Sequence, residues 1–217
     1  MDLLPPILPR YPQAVDDFPA LAEEAREEDD PIRSVAVEGL ALEGADLSGL
    51  VLEGAVFRSC RLPGCQWQDC DLSHVLFQDC DLSGANFSGS RWDRCALEGC
   101  KALGAGLPDC RLGQVSFRDC LLQGANFTGS RLRGAAFQDC RLPAARLSQC
   151  LLSPAAFTRC DLTGAQFFHT LLKGVDLTTC TIDGLVLSEG LEELRGAVVD
   201  LWQAAGLAKR LGLIVKE

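Results

Sequence analysis

Cysteine is the residue with the greatest chemical potential in this 217-residue sequence, which contains 12 cysteines against a single methionine. Thiolates can bind zinc, form disulfides or act as nucleophiles. The cysteines are Cys60, Cys65, Cys70, Cys80, Cys95, Cys100, Cys110, Cys120, Cys140, Cys150, Cys160 and Cys180. All are separated by multiples of five, and every twentieth residue from Cys60 to Cys180 is a cysteine. Zinc sites favour ligands about two to four residues apart that converge on one point, so this spacing argues against a metal centre.

Other catalytic groups are not clustered either. The two histidines, His74 and His169, are 95 residues apart, so no serine–histidine–carboxylate set can be assembled from the spacing. The glycines recur at intervals of five, and no phosphate-binding glycine motif joins a strand to a helix. Asp81 and Asp161 occupy positions that we expect to face solvent. The sequence therefore predicts no catalytic residue, cofactor site or metal site, and it favours a protein that is not an enzyme.

The elements that position these residues follow from a period of five. From Ile32 to Leu187 every fifth residue is apolar, which gives 32 consecutive matches in which only Ala102 is small. We call these the central residues. A second apolar series, two residues before each central residue, contains all 12 cysteines. A period of five fits neither an α-helix nor a flat strand, and it indicates a chain that turns a corner every five residues.

Four such corners close a square, which predicts a coil of 20 residues per turn. Phe57, Phe77, Phe117, Phe137 and Phe157 share one position modulo 20, as do the seven cysteines from Cys60 to Cys180. Any other coil length would break up these columns. Glycine often lies two residues after a central residue, where a corner needs a tight backbone.

The individual units resemble those of the pentapeptide-repeat family, A(D/N)LxG. The nearest matches are Ala45-Asp46-Leu47-Ser48-Gly49, Ala85-Asn86-Phe87-Ser88-Gly89 and Ala125-Asn126-Phe127-Thr128-Gly129. The resemblance implies an all-β fold, a right-handed quadrilateral parallel β-helix. Its 32 repeats make about eight turns, and at about 4.8 Å per turn the rod is about 38 Å long.

In such a rod all the cysteines point inward. Vertical neighbours would be held at about the strand spacing, which is wider than the roughly 3.8 Å between the Cβ atoms of a disulfide. We therefore expect buried, reduced thiols that act as small hydrophobic side chains. Reduced thiols imply a reducing compartment, so the expected location is the cytoplasm. The sequence also lacks an apolar run of the roughly 18 residues that a membrane-spanning helix needs.

The two ends depart from the repeat, and three segments are predicted: a proline-rich and acidic N-terminal cap at 1–31, the β-helix at 32–188 and a C-terminal cap at 189–217. In the first, Asp17 is a candidate N-cap for a short helix with Pro19 in its first turn. In the last, the repeat resumes out of phase at Leu194 and Val199. A helix over 201–212 and a short strand over 213–215 follow.

This ending resembles that of the quinolone-resistance (Qnr-like) members, in which a C-terminal helix caps the coil and pairs two subunits. By that resemblance the chain forms a homodimer. The candidate dimer contacts are Trp202, Ala205, Leu207, Leu211 and Ile214. The alternative is a cap that only folds onto its own last turn.

The Qnr-like members bind DNA gyrase or topoisomerase IV by imitating duplex DNA, and charge bears on whether this chain does so. The net charge of −10 divides into −7 for residues 1–31, −2 for 32–187 and −1 for 188–217, so the rod itself is nearly neutral. It carries an arginine column at Arg91, Arg111 and Arg131, and an aspartate column at Asp79, Asp119 and Asp139. These six residues are the candidate partner surface.

Three functions stay open on this evidence. The first is a protein-binding rod that imitates DNA and binds or protects gyrase or topoisomerase IV. The second is a general interaction scaffold with another protein partner, which the near-neutral rod and the lack of loops between its turns favour. The third is nucleic-acid binding through the arginine column, which the negative net charge disfavours.

Overall fold

The chain winds into a parallel β-solenoid in which each turn takes 20 residues. In the computed structural model, which describes residues 3–216, the strand residues of successive turns pair with a register of 20 positions. Phe57 is the register partner of Phe77, and Phe117 is that of Phe137. The predicted coil of four pentapeptides per turn is confirmed.

Two adjacent faces of the coil carry the strands. After β1 (Gln13–Ala14), the first strand face contains β2 (Ile32–Arg33), β4 (Val51–Glu53), β6 (Asp71–Ser73), β8 (Arg91–Asp93) and β12 (Leu151–Leu152). The second contains β3 (Val35–Glu38), β5 (Val56–Arg58), β7 (Leu76–Gln78), β9 (Ala96–Glu98) and β13 (Ala155–Thr158). The longer β10 (Arg111–Arg118) and β11 (Arg131–Gln138) run round the corner and belong to both faces.

The other two faces consist of turns. Isolated bridges join successive turns there, in one column from Ala41 to Thr181 and another from Asp46 to Val186. The 32 pentapeptides make eight turns by count, and about seven of these carry strands. After Thr158 the next central residue of the second strand face, Leu177, is still fully buried. The last turn therefore keeps the inward packing without a strand.

Aromatic rings stack along the axis of the coil because equivalent positions lie directly above one another. The ring centroids of Phe117 and Phe137 are 4.6 Å apart with the planes inclined by 3°. Phe137 and Phe157 are 4.9 Å apart at 5°. Leu97 interrupts this column between Phe77 and Phe117. All of these residues are buried, as the central series predicts.

The cysteines are all buried and unpaired, and the thiols from Cys60 to Cys160 also donate hydrogen bonds to backbone carbonyls. Cys80 Sγ donates to the carbonyl oxygen of Phe57 at 3.4 Å, and Cys110 Sγ donates to that of Phe87 at 3.0 Å. Each acceptor lies 23 residues earlier, in the preceding turn. The prediction of small hydrophobic thiols was incomplete, because the thiols also satisfy carbonyl groups that face the interior.

One inner column alternates thiols with hydroxyls. Upward from Cys70 it reads Ser90, Cys110, Ser130, Cys150 and Thr170. Ser90 Oγ donates to the carbonyl of Trp67 at 2.7 Å and accepts from the backbone N–H of Cys70 at 3.0 Å. The hydroxyl groups of Ser130 and Thr170 make the equivalent pairs of bonds. Each of these buried hydroxyl groups therefore both donates and accepts a hydrogen bond.

An N-terminal helix closes the first turn. Helix α1 (Phe18–Glu28) begins at Asp17, whose carboxylate accepts from the backbone N–H of Ala20 at 3.0 Å, so the predicted N-cap is confirmed. Phe18 is fully buried, and its ring meets Phe57 edge-on at 5.1 Å. The helix thus covers the open end of the aromatic column.

The segment before this helix lies lengthwise along the rod, and we call residues 3–14 the strap. Its strand β1 pairs with β3. The side chain of Leu8 packs on Val56, Leu76 and Ala96. The backbone N–H of Ile7 donates to His74 Nδ1 at 3.0 Å. The backbone N–H of Leu4 donates to Gln114 Oε1 at 3.0 Å. The sequence did not reveal this arrangement.

At the C-terminal end the repeat resumes with two extra residues, as the phase shift predicts. Asp176 forms a bridge with Val198, 22 positions later instead of 20. The extra residues form a loop with a short 3-10 helix (Glu192–Leu194), in which the acidic residue Glu193 is only 2% exposed. Its carboxylate accepts hydrogen bonds from the backbone N–H of His169 and the hydroxyl of Ser188, which fix the loop on the coil.

Helix α2 (Leu201–Arg210) caps the last turn. Asp200 and Gln203 form a reciprocal capping box, and the amide of Gln203 also donates to the carbonyls of Leu177 and Cys180 at 2.8 Å. The predicted helix is confirmed, but the short strand predicted over 213–215 is wrong. A strand needs a neighbouring strand to pair with, and residues 213–216 have none among the residues described.

Replacing Ser90 tests the alternating column. Ser90→Ala leaves a buried carbonyl and a buried N–H without partners, so we expect a loss of about 2–4 kcal/mol in the free energy of unfolding. Ser90→Cys keeps a donor of the kind found in adjacent turns and should cost about half as much or less. Urea denaturation followed by circular dichroism measures both. Ser148→Ala, whose hydroxyl makes no such bond, is the control and should cost less than about 0.5 kcal/mol. Equal losses for Ser90→Ala and Ser90→Cys would contradict this role.

Candidate functional site

Four of the buried thiols are held in the unreactive protonated form by their burial. Burial raises the pKa of the Cys70, Cys95, Cys110 and Cys150 thiols to about 12, so these thiols stay protonated near neutral pH and are poor nucleophiles. Among residues 3–216, no three histidine, cysteine, aspartate or glutamate side chains are grouped so that they could hold a metal ion. His74 and His169 lie at separate corners, and each is tied to a terminal segment of the chain by a hydrogen bond. A functional site must therefore be sought on the outer faces.

The structure brings the predicted arginine column together on the first strand face. Arg91, Arg111 and Arg131 are successive register partners in β8, β10 and β11. Arg133 lies beside Gly113, which has no side chain to fill the space in front of it. We call Arg91, Arg111, Arg131 and Arg133 the arginine wall. It lines a shallow concave surface together with Asp71, Asp93 and Gly113.

The wall is only partly neutralised by carboxylates. Arg91 Nη1 lies 3.8 Å from the carboxylate of Asp71. Within the described part of the chain, the other three wall arginines have no carboxylate oxygen within 4.0 Å. All four side chains are exposed to solvent. The wall is therefore a locally basic surface on an acidic protein.

The aspartate column lies at another corner, diagonally across the square from Arg91. Asp79, Asp119 and Asp139 have φ angles of 53° to 54°, the left-handed conformation that the corner imposes and that aspartate tolerates better than most residues. Arg159 binds Asp139 through two hydrogen bonds of 2.6 Å. Gly99 interrupts the column, and Arg159 ends it. Within residues 3–216, none of these aspartates pairs with the arginine wall.

Elsewhere on the rod, charges of opposite sign often face each other across successive turns. Lys101 Nζ lies 3.0 Å from the carboxylate of Asp81, and Arg33 Nε lies 2.8 Å from that of Glu53. Both pairs join residues 20 positions apart. These exposed pairs contribute little stability, but they divide the surface into small patches of either sign. In residues 32–187 these pairs place basic side chains between the acidic ones along the coil.

The five candidate dimer residues are placed differently around the C-terminal cap. Leu207 packs against the core of the last turn, and Ala205 is half-buried. The others are exposed: Trp202 by 79%, Leu211 by 57% and Ile214 by 91%. Helix α2 thus turns Gln203, Leu207 and Arg210 toward the coil and leaves an apolar surface on its outer side.

The strap is a surface feature that the sequence reasoning missed. The run of prolines between Pro5 and Pro12 was the available signal, because it indicates an extended segment that cannot join a regular ladder. The face of the coil that such a segment would cover could not be predicted from these prolines.

No helix within residues 3–216 is both long and apolar enough to cross a bilayer.

Comparison with known proteins identifies the repeat. A family model described as "Pentapeptide repeat region" matches residues 72–142 and 110–187, and one described as "Pentapeptide repeats (8 copies)" matches residues 39–73. No curated protein sequence gives a significant match.

Solved structures of two QnrB1 variants share the fold, and other pentapeptide-repeat structures also match. A trypsin-treated variant of QnrB1, described as a plasmid-mediated fluoroquinolone resistance protein, is 26% identical, and the match covers 83% of this chain and 90% of that one with a TM-score of 0.54. A second trypsin-treated variant is 22% identical over 84% of this chain and 100% of that one, with a TM-score of 0.55. HetL, a pentapeptide repeat protein from the cyanobacterium Nostoc sp. strain PCC 7120, is 21% identical over 82% and 94% of the chains with a TM-score of 0.34.

The Asp139–Arg159 pair gives a pH-dependent prediction. The Arg159 guanidinium holds the pKa of the Asp139 carboxyl below its usual value, so the ionised form is favoured in the folded state. Its stabilising effect is present above the ordinary carboxyl pKa and is lost as the pH falls through the lowered one. Carbon-13 NMR titration of the carboxyl should show this lowered pKa, and Arg159→Gln should raise it toward the ordinary value. Arg195→Gln, which removes the separate pair with Glu192, should leave it unchanged. An ordinary Asp139 pKa in the native protein would refute the pairing.

Proposed function

Because the chain belongs to the pentapeptide-repeat family, we propose that it is a non-catalytic rod that binds another protein. The observation that carries this proposal is the contrast between the two sides of the coil. The inner side chains are packed and chemically quiet, whereas the outer side chains form flat, regularly spaced columns. A rod of this kind offers area for recognition, and the pockets lined by residues 3–216 are open grooves on its surface.

The first partner to test is DNA gyrase or topoisomerase IV, bound in a way that protects the enzyme from quinolones. The support is the similarity to the QnrB1 variant at 26% identity over most of both chains. The acidic segment from Glu23 to Asp30, which includes the end of α1 and the two residues after it, is the part of this chain best able to imitate phosphate charge. Resistance to quinolones is part of this proposal.

A different protein partner is the second candidate, and the charge pattern favours it. Duplex DNA carries about one charge per 1.7 Å, whereas residues 32–187 carry a net charge of only −2. The ion pairs between turns divide the surface into patches of both signs. A general interaction scaffold needs no continuous acidic stripe and is compatible with this surface.

We also propose a homodimer formed through the C-terminal cap. Trp202, Leu211 and Ile214 leave large apolar areas exposed on the outer side of α2 and in the segment after it. Leu207 is already packed against its own last turn and would contribute little to such an interface.

Twelve free buried thiols are the basis for proposing the cytoplasm as the location.

Charged substitutions on the cap test the dimer. We expect the wild-type protein to sediment as two chains at micromolar concentration. Trp202→Glu combined with Leu211→Glu should weaken association by at least about 100-fold, because apolar anchors dominate such interfaces. Leu121→Glu, on a turn face far from the cap, is the control and should remain dimeric. A wild-type protein that sediments as a single chain at about 100 μM would exclude this dimer.

A supercoiling assay tests the gyrase proposal. Purified protein should restore supercoiling by gyrase in the presence of ciprofloxacin, with little effect in the absence of the drug. Replacing Glu23, Glu24, Glu27 and Glu28 with glutamine should reduce the protection several-fold if α1 imitates DNA charge, whereas Glu189→Gln should not. No protection over a wide range of protein concentration would end the gyrase proposal and leave the second candidate.

A further inference from the structure

The arginine wall is an arrangement that costs stability unless something compensates it. Like charges placed directly opposite each other on neighbouring strands repel. Arg91, Arg111 and Arg131 are stacked in this way over three consecutive turns. Several stacked pairs elsewhere on the rod, such as Asp81 with Lys101, combine opposite signs, and the like-charged neighbours Asp119 and Asp139 end at Arg159, which pairs with Asp139. The wall therefore departs from the pattern that neutralises the rest of the surface.

The same column continues toward the C-terminal end with apolar side chains. Leu151 is the register partner of Arg131, and Leu171 occupies the equivalent position one turn further on. These leucines are 61% and 62% exposed, respectively. The first strand face thus presents three stacked cations followed by two stacked apolar groups in a single line.

The local charge contrasts with that of the whole chain. The concave surface at the wall brings together four arginines and two aspartates, Asp71 and Asp93, for a local charge of +2. The complete chain has a net charge of −10. A ligand that seeks this surface must therefore be anionic where it meets the arginines, and it must carry apolar groups where it meets the leucines.

We propose that the column from Arg91 to Leu171 binds an acidic, amphipathic helical segment of a partner protein. The proposal rests on the protein-binding function proposed above and gives that function a surface. Five positions separated by four steps of about 4.8 Å span about 19 Å. An α-helix of about 13 residues has this length, and its turns repeat every 5.4 Å, close to the spacing of the column.

The contacts follow from this alignment. Carboxylates on successive turns of the helix would meet Arg91, Arg111 and Arg131, and the space in front of Gly113 would admit one of them toward Arg133. Arginine suits this task because its planar group accepts a carboxylate through two hydrogen bonds. Leucine-like side chains on the next two turns of the helix would cover Leu151 and Leu171.

A nucleic acid fits the column less well. A phosphate backbone could neutralise the arginines, but it offers nothing apolar to cover the two leucines. The net negative charge of the chain also opposes the long-range attraction on which nucleic-acid binding depends. A protein segment satisfies both halves of the column.

The experiment uses the full chain and a fluorescein-labelled peptide of about 15 residues, with glutamates and then leucines at successive i, i+3 and i+4 positions of a helix. Fluorescence anisotropy should give saturable binding that weakens with added salt. A peptide of the same composition with these residues scattered around the helix is the control ligand. A DNA duplex of about 15 base pairs tests the nucleic-acid alternative.

Matched variants locate the peptide on the chain. Arg111→Glu with Arg131→Glu should weaken binding at least about tenfold, and Leu151→Ser with Leu171→Ser should weaken it about tenfold with little change in salt dependence. Arg61→Glu with Arg141→Glu makes the same change in net charge on a turn face and should change the affinity less than about twofold. All six side chains are exposed or border solvent, so circular dichroism should show an unchanged fold for each variant.

The outcomes separate this proposal from the preceding one. The proposal would be overturned if the scattered peptide bound equally well or if the two double arginine variants had equal effects. It would also be overturned if DNA bound more tightly than the peptide, or if no saturable binding were seen at about 1 mM peptide. Protection of gyrase without peptide binding would refute the column and keep the protein-binding rod. Peptide binding without protection of gyrase would support the column and reject only that partner.

Discussion

The constraint on which this structure depends is that each residue of the regular coil lies directly above the residue 20 positions before it. Backbone hydrogen bonds between turns enforce this alignment, since the N–H and C=O groups of a turn are used by the turns on either side. Each sequence position therefore belongs to a column whose members share one environment. A side chain at a given column position must therefore pack against the side chains at the same position in the turns above and below, whether these are identical to it or complementary in charge or hydrogen bonding.

The interior shows how the columns meet this condition in different ways. Phenylalanine tolerates identical neighbours because flat rings stack, as Phe117, Phe137 and Phe157 do. Cysteine and serine share another inner position because both can donate to the same kind of carbonyl, as Cys110 and Ser90 do. On the outside, ion pairs such as Arg33 with Glu53 meet the condition by alternating sign, and the arginine wall does not.

Much of the fold could be predicted from the sequence because a period leaves a direct record in the order of residues. The columns of Phe57 and Cys60, the cap at Asp17 and the phase shift at Leu194 are all read from spacing alone. The arginine and aspartate columns were predicted in the same way. Their ion pairs were not, because Asp139 binds Arg159 through the orientation of two long side chains that spacing does not determine.

The remaining features depend on contacts between residues far apart in sequence, and the strap is the clearest example. It joins Leu4 to Gln114 and Ile7 to His74, and so it spans turns that otherwise touch only their immediate neighbours. A plain stack of turns can fray progressively from either end, as in other solenoids. The strap changes this mechanical behaviour, because the early turns cannot separate from the middle of the rod unless the strap also detaches. The opening of these turns is therefore coupled, and the rod resists tension along its axis.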